Sequence, residues 1–364
     1  KRNINMAYTT IDKPSDYFET VIYTGNGSTL NVGGLDFTQN FTWIKNRSDG
    51  TSHFLYDTIR GAGNNKDLRS NSDGAEGSGD GATHGFMSAF RSDGFTVTQG
   101  SSTASITNAS GDTYASWNWK AGTSVSGDTT GSGTLKTYTG SVNTDAGFSI
   151  ISFTGNGTSG HTIPHNLGVA PAMVILKRYD SSNNWRVGHN GLTSWEYRLT
   201  LEANEAQASQ SAVFNSTAPT SSVVTLGNSG SANGNDATYI MYSFAEKQGY
   251  SKFGSYVGNG NADGTFVYTG QKSAFIMVKN STASSTSWEL YDNKRDGFNN
   301  QNRRVYPNTS DAEPAAADRL AILSNGFKIL TSASHLGSSG ATYIYMAFAE
   351  NPLVTSTGVP ATAR

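Results

Sequence analysis

Hydrophobic and polar positions follow the same order three times along this chain, and each series contains a Gly-Asn-Gly triplet. The triplets lie at Gly25–Gly27, Gly155–Gly157 and Gly258–Gly260. Asparagine and glycine tolerate positive φ, so each triplet predicts a tight turn at the end of a strand. The recurrence indicates three copies of one structural unit.

A run of apolar residues that ends in lysine follows each triplet. The runs are Phe41–Lys45, Met173–Lys177 and Phe275–Lys279. The second and third runs are apolar at every position before the lysine, which predicts a strand buried on both faces.

An aromatic strand closes each copy, at Thr113–Trp119, Thr238–Phe244 and Thr342–Phe348. Side chains alternate across a strand, so each of these strands has two distinct faces. In the second copy the alternation places Ile240, Tyr242 and Phe244 on one face and Tyr239, Met241 and Ser243 on the other.

Short strands separated by turn residues predict an all-β fold of three tandem antiparallel β-sandwich or jelly-roll repeats. Helix is scarce, and the best candidate lies at 315–323. The low-complexity composition of 123–147 is typical of a flexible linker, on which the first repeat would be hinged. The predicted divisions are an N-terminal arm at 1–17, repeats at 18–122, 148–247 and 248–351, the Gly/Ser/Thr-rich linker at 123–147 and a C-terminal tail at 352–364.

The composition of the chain argues against several classes of function. The net charge of -2 provides no basic surface for nucleic acid, and no apolar run is long enough to insert in a membrane. The absence of cysteine excludes disulfides and thiolate chemistry. The segment Lys1–Asn5 is interpreted as an extension upstream of a natural start at Met6.

The loop at 71–81 is the best candidate for a metal site, since Asp73, Glu76 and Asp80 lie among glycines. Calcium prefers carboxylate and carbonyl oxygens on a flexible backbone. The alternative is a solvated turn, and no other cofactor is expected. His161 and His165 are four residues apart, but the glycine and proline around them exclude a helical zinc pair.

Repeated polar residues follow the buried strands. Asp57 and Asp292 occupy matching positions, where the second copy has Asn190. Without a second catalytic group or a nucleophile elbow, we interpret these carboxylates as backbone partners at strand ends, and we expect no enzyme activity.

The three lysines that end the buried runs allow two hypotheses. In one, each lysine keeps a strand end hydrated. In the other, Lys45, Lys177 and Lys279 contact a partner or an adjacent subunit.

Aromatic residues near loops suggest a sugar-binding surface, because a ring stacks on the apolar face of a sugar while nearby amides bond its hydroxyls. The candidates are Trp185, Trp195, Tyr197 and Trp288. The alternative is that each ring belongs to the core at a strand edge.

Several strings resemble virion structural proteins of marine bacteriophages, the tail-fibre-like proteins of phages of pelagic bacteria and cyanobacteria. The strings include Phe41–Asp49, Tyr114–Gly122, Tyr250–Tyr256 and Ala341–Glu350. Together with the strand pattern, the resemblance implies that the sandwich repeats are concanavalin-like. It also implies a protein on the exposed surface of a virion, on the tail or a capsid appendage. It implies other virion proteins as partners, and it brings no catalytic residues. We also expect a homo-oligomer, such as a trimer formed through the sandwich faces; single copies on a larger ring are the alternative.

Three functions follow as hypotheses. The first is a tail-fibre or receptor-binding component that contacts polysaccharide on the host surface. The second is a capsid decoration or fibre-connecting protein without a ligand, and the third is a tail enzyme that cleaves polysaccharide.

Overall fold

A computed structural model describes residues 7–102, 105–314 and 319–362, and the regular secondary structure of this part of the chain is almost wholly β. The expected all-β class is confirmed. The described helices are a 3-10 turn at Pro14–Asp16, α1 at Gly81–His84 and α2 at Ser211–Phe214. None of them is long and apolar enough to cross a membrane.

Two sequence-based expectations fall partly or wholly on residues outside the described ranges. The first concerns the Lys1–Asn5 extension. The second is the helix at 315–323, of which 315–318 is outside and Leu320–Leu323 is a strand.

The first group of strands forms two antiparallel sheets. The larger sheet has the order β1-β7-β3-β4 and the smaller has β2-β6-β5. Both contribute to one hydrophobic cluster that includes Ile44, Phe54 and Phe95. The strands are β1 (Phe18–Thr24), β2 (Thr29–Val32), β3 (Phe41–Asn46), β4 (Phe54–Asp57), β5 (Phe86–Arg91), β6 (Gly94–Thr98) and β7 (Thr113–Trp119).

The second group has the same arrangement with added strands. The larger sheet has the order β16-β15-β14-β13-β18-β11-β10-β8, and the smaller has β17-β12-β9. The strands are β8 (Thr123–Asp128), β9 (Thr130–Gly131), β10 (Thr137–Asn143), β11 (Phe148–Thr154), β12 (His161–Pro164), β13 (Met173–Arg178), β14 (Arg186–His189), β15 (Tyr197–Thr200), β16 (Ala208–Ser209), β17 (Val223–Leu226) and β18 (Thr238–Phe244).

The third group matches the first in strand order. Its sheets are β19-β25-β21-β22 and β20-β24-β23. The strands are β19 (Ser251–Val257), β20 (Phe266–Tyr268), β21 (Gln271–Asn280), β22 (Glu289–Asp292), β23 (Leu320–Leu323), β24 (Gly326–Ile329) and β25 (Thr342–Pro352). We call the three groups the first, second and third sheet pairs.

The segment 123–147 differs from the expected linker. β10 pairs with β11 on one side and with β8 on the other, so the segment extends the larger sheet of the second pair. Tyr138 and Val142 of β10 are buried. The polar composition of β8 reflects its position as an exposed edge strand.

Hydrogen exchange of the backbone amides would distinguish a paired β10 strand from a flexible linker. We expect the amides of β10 to be strongly protected, because the strand has a hydrogen-bonded neighbour on each side. The loop at 133–135 in the same segment is the internal control and should exchange fast. Exchange of β10 as fast as that loop would contradict the pairing.

The alternation in β18 sorts its side chains as predicted. Ile240, Tyr242 and Phe244 belong to a cluster that all three pairs share, whereas Tyr239 and Met241 belong to the core of the second pair. The apolar run of β13 is likewise buried on both faces. Each larger sheet therefore has one face toward its own smaller sheet and the other toward the remaining two pairs.

Three aromatic residues, each at the seventh position of its strand in β7, β18 and β25, meet in the shared cluster. The ring centroids of Trp119 and Phe244 are 6.4 Å apart, those of Trp119 and Phe348 are 5.7 Å apart, and those of Phe244 and Phe348 are 6.0 Å apart. We call these residues the aromatic triangle. Because Trp119 packs in this cluster, the first pair is not hinged from the others.

Candidate functional site

The lysines at the ends of β3, β13 and β21 lie between sheet pairs and are fully buried. Lys45, Lys177 and Lys279 each have 0% exposure, so the interpretation that they keep strand ends hydrated is wrong. A loop from a neighbouring pair reaches the end of each of these strands.

The lysine ammonium groups donate to oxygens at these junctions. Lys45 Nζ donates to the backbone oxygen of Ser310 at 3.3 Å, and Lys177 Nζ donates to that of Asp73 at 3.1 Å. Both acceptors belong to another sheet pair. Lys279 Nζ donates within its own pair, to Thr286 Oγ1 at 3.0 Å.

Each junction also contains a backbone hydrogen bond whose acceptor lies two residues after the lysine. The loop of the first pair reaches the second, that of the second reaches the third, and that of the third returns to the first. The bonds join Glu76 N to Tyr179 O at 2.9 Å, Gln207 N to Ser281 O at 2.8 Å and Glu313 N to Arg47 O at 3.0 Å. We call these junctions the three seams, and together they form a closed cycle.

An ion-pair network reinforces the seam between the third and first pairs. Arg47 Nε lies 2.7 Å from Glu313 Oε2, and Arg295 and Arg303 also contact this carboxylate. Burial alone would raise the pKa of Glu313, but the hydrogen bond from Arg47 and the charge of Arg295 bring it to about 2. Glu313 is therefore ionised at neutral pH.

The predicted sugar-binding tryptophans lie inside the protein, two of them at seams. Trp185 Nε1 donates to the backbone oxygen of Arg69 at 2.9 Å, and Trp288 Nε1 donates to that of Thr200 at 3.2 Å. Trp195 packs in the core of the second pair and Tyr197 is half-buried against the shared cluster. The three tryptophan rings are buried, which agrees with the alternative that they are core residues, whereas Tyr197 is only partly buried.

The repeated aspartates are buried where the pairs converge. Asp57 Oδ2 accepts from Arg60 Nε at 2.7 Å and from Tyr242 Oη of the second pair at 2.7 Å. Asp292 Oδ2 accepts from Arg295 Nε at 2.6 Å and from Trp117 Nε1 of the first pair at 3.0 Å.

Their other carboxylate oxygens accept backbone amides, as the sequence predicted. Asp57 Oδ1 accepts from the backbone N–H of Arg60 at 2.9 Å, and Asp292 Oδ1 accepts from that of Arg295 at 2.9 Å. The bonds of each aspartate therefore serve to hold structure.

The strand register places His189, and not Asn190, at the corresponding position of the second pair, because Met173 faces His189 as Phe41 faces Asp57. His189 Nε2 lies 3.1 Å from the backbone oxygen of Tyr345, in the third pair. Burial lowers the pKa of His189 to about 4, so the imidazole is neutral at physiological pH. Sequence spacing missed this histidine because its neighbour Asn190 looked like the better match to an aspartate.

The candidate calcium ligands do not converge. Glu76 is held by Arg60 Nη1 at 3.1 Å and Lys66 Nζ at 3.2 Å, while Asp80 caps α1. Asp73 contributes its backbone oxygen to Lys177 Nζ and its side chain is exposed. Within the described ranges, no group of three acidic or histidine side chains is placed to hold a metal ion.

The two sequence-predicted histidines are structural and separate. His161 lies between Asn233 Oδ1 at 2.8 Å and Thr129 Oγ1 at 2.7 Å. His165 Nε2 lies 3.1 Å from the backbone oxygen of Thr220. Burial lowers the pKa of both imidazoles.

Comparison with known proteins assigns the chain to a protein family. Residues 13–352 match the family described as Domain of unknown function (DUF7483). The chain belongs to this family. No curated protein and no solved structure matches it.

The seam lysines make the stability of this DUF7483 protein depend on pH. Burial lowers the pKa of each from its ordinary value of 10.5 to about 8, against the opposing pull of nearby carboxylates. Above about pH 8 the folded protein loses protons that the unfolded chain keeps until higher pH. The free energy of unfolding therefore rises with pH in this window.

We expect urea unfolding to give a free energy that increases between about pH 8 and pH 9, by on the order of 1 kcal/mol for each lysine. Above this window the tyrosines of the unfolded chain begin to ionise, whereas burial raises the pKa values of tyrosines such as Tyr23 and Tyr242 in the folded protein, so their contribution lowers the free energy of unfolding. The variant Lys177→Met should reduce the slope by about a third, since it removes one of three equivalent groups. Equal slopes for the wild type and the variant would contradict the assignment.

Proposed function

We propose that this DUF7483 protein is a structural component of a phage virion, exposed on the tail or another appendage. The observation that carries the proposal is the closed cycle of three seams around the aromatic triangle. It fixes the three sheet pairs as one block, and it involves the residue strings that resemble phage virion proteins. A rigid block with buried polar junctions is suited to a mechanical part of a particle.

We infer further that each sheet pair is a β-sandwich and that the three pairs are repeats of one unit. The larger sheets of the three pairs share a strand order, since β11-β18-β13-β14 in the second pair matches β1-β7-β3-β4 in the first and β19-β25-β21-β22 in the third. The seam lysines and the triangle residues also occupy equivalent positions. A jelly-roll or concanavalin-like unit is compatible with this strand order.

A binding role on the virion surface accounts for the chain better than a catalytic one. The repeated carboxylates, Asp57 and Asp292, are each committed to an arginine, to backbone amides and to a ring donor from another pair. We propose contact with polysaccharide on the host surface, and other virion proteins as attachment partners. Homo-oligomerisation stays a prediction, which light scattering of the purified chain would check.

Immunogold labelling of phage particles that carry this gene tests the location. We expect label on the tail or another appendage. Uniform label over the capsid lattice would favour a decoration protein, and particles without label would contradict a virion role. A variant such as Asp57→Asn that abolishes a polysaccharide-cleaving activity of the particle would overturn the non-catalytic assignment.

A further inference from the structure

The outer face of the third sheet pair carries two exposed aromatic rings. Phe266 is 45% exposed and Tyr268 is 53% exposed, while Val267 between them is buried in the core. Alternation along β20 puts both rings on the solvent face of the smaller sheet. Rings so exposed contribute little to the core, so the fold does not require them at these positions.

In the other two sheet pairs, the positions equivalent to Phe266 and Tyr268 are not aromatic, so the fold forms without rings at these positions. Register equates Val267 with Val32 and with Ile163, because these residues face Phe327, Phe95 and Val224 across the sheet. All three residues are buried. The flanking outward positions differ: they are Asn31 and Gly33 in the first pair, Thr162 and Pro164 in the second, and Phe266 and Tyr268 in the third.

The surroundings keep the rings uncovered. Tyr268 faces Gly326 across the sheet, and a Cβ at Gly326 would come within 2.1 Å of the backbone oxygen of Val267. A side chain that could cover the Tyr268 ring is therefore excluded at this position. Lys328, opposite Phe266, is paired with Asp263.

A pocket lined mainly by polar residues lies beside the Tyr268 ring. It has a volume of about 240 Å³, and its lining includes Tyr8, Gln248, Ser251 and Lys252. Tyr8 Oη donates to the backbone oxygen of Gly270 at 2.7 Å, which holds the Tyr8 ring beside Tyr268. Lys252 is neutralised by Glu246 at 2.6 Å.

We propose that Phe266, Tyr268 and the adjoining pocket form a binding site for a neutral polysaccharide. Rings stack on the apolar faces of sugar units, while amide and hydroxyl groups in the pocket bond the sugar hydroxyls. The charged neighbours are paired, so the site has no excess charge to attract an ionic ligand. This inference rests on the proposed contact with host polysaccharide and gives it a location.

The size of the exposed apolar surface favours a glycan over a protein partner. Its large side chains include the two rings and Val257, whose backbone oxygen accepts a hydrogen bond from Thr265, the residue before Phe266. A stable protein interface takes about 20–30 residues from each side. Two rings beside a polar pocket are instead enough for a short stretch of a sugar chain.

The test uses the full chain on immobilised hexasaccharides of cellulose, laminarin, mannan and agarose. We expect the wild type to bind at least one of them. The double variant Phe266→Ala/Tyr268→Ala should bind it on the order of tenfold more weakly, since two stacking contacts are lost. The control Phe298→Ala removes an aromatic side chain that is 83% exposed elsewhere and should bind like the wild type.

Salt provides a second readout. Affinity should be equal at about 50 mM and about 500 mM sodium chloride, because a neutral ligand is not screened. An affinity that falls steeply with increasing salt concentration would contradict the proposal that the ligand is neutral.

Two outcomes would overturn the site. If the double variant binds as well as the wild type, Phe266 and Tyr268 do not form the binding site, although the protein still binds a polysaccharide at another position. If the wild type binds none of the four sugars, the site is rejected, and immunogold labelling still decides separately whether the protein belongs to a virion. Unchanged thermal unfolding of the double variant would show that any loss is not a loss of fold.

Discussion

Trp119→Ala is expected to lower the free energy of unfolding by about 3–5 kcal/mol, the cost of removing a large ring from a packed core. Trp119 contacts both other members of the aromatic triangle and lies 4.8 Å, centroid to centroid, from Phe18. Since this cluster is shared, the loss should destabilise all three sheet pairs together. Urea unfolding followed by circular dichroism and tryptophan fluorescence would measure it.

Trp119→Phe is the matched variant. Phenylalanine occupies the two equivalent positions, and among the described residues Trp119 Nε1 has no hydrogen-bond partner. The replacement therefore leaves no acceptor unpaired and should cost much less than alanine. Separate unfolding transitions for the three pairs in Trp119→Ala, with only one of them shifted, would contradict a shared core.

Asp292→Ala is expected to cost about 3–5 kcal/mol, because it removes the carboxylate 2.6 Å from the buried guanidinium of Arg295, whose remaining carboxylate contact, to Glu313, is longer at 3.3 Å. Both side chains have 0% exposure, so water cannot replace the lost carboxylate. The change also removes the acceptor of Trp117 Nε1, which belongs to another sheet pair. Thermal and urea unfolding would measure the effect.

The control is Asp263→Ala, which removes a carboxylate from an exposed pair with Lys328. Pairs on the surface contribute little, so this variant should unfold like the wild type. A second control, Asp292→Asn, keeps the size of the side chain but not its charge, and should fall between the wild type and alanine. Equal stability of Asp292→Ala and Asp263→Ala would contradict a buried ion pair at Asp292.

The sequence allowed the buried faces of the strands to be predicted, because hydrophobic periodicity reports which side of a strand avoids water. The two faces of β18 and the fully apolar run of β13 were predicted correctly on this basis. Periodicity does not report what covers a face. The seams join residues far apart in the chain, such as Lys45 and Ser310, and no local pattern encodes that contact.

Two expectations of exposure overlooked partners that are distant in the chain. The charge of Lys177 was interpreted as a reason for exposure, and Trp185 was a candidate sugar contact because it lies near a loop, with a core position as the alternative. In the structure both are satisfied by backbone oxygens from the first sheet pair, which makes their burial tolerable. A signal was available: aromatic residues on both faces of the closing strands require a third layer, since a two-layer sandwich leaves one face of each sheet to water.

The error at 123–147 has another origin. Glycine, serine and threonine are typical of linkers, but an edge strand exposed on both sides needs few apolar residues. Tyr138 and Val142 were the signal in this segment, since both are buried where β10 meets its neighbours.

The closed cycle of seams lies within one polypeptide, and this has an evolutionary and a binding consequence. In a homotrimer, each substitution appears on all three subunits at once. Here the outward positions of the three pairs are encoded separately, so Phe266 and Tyr268 are present on one face while threonine and asparagine remain on the others. The chain gains freedom to specialise one face, but it gives up the multivalent avidity that three identical faces would provide. Strong attachment to a surface would then depend on many copies of the chain acting together.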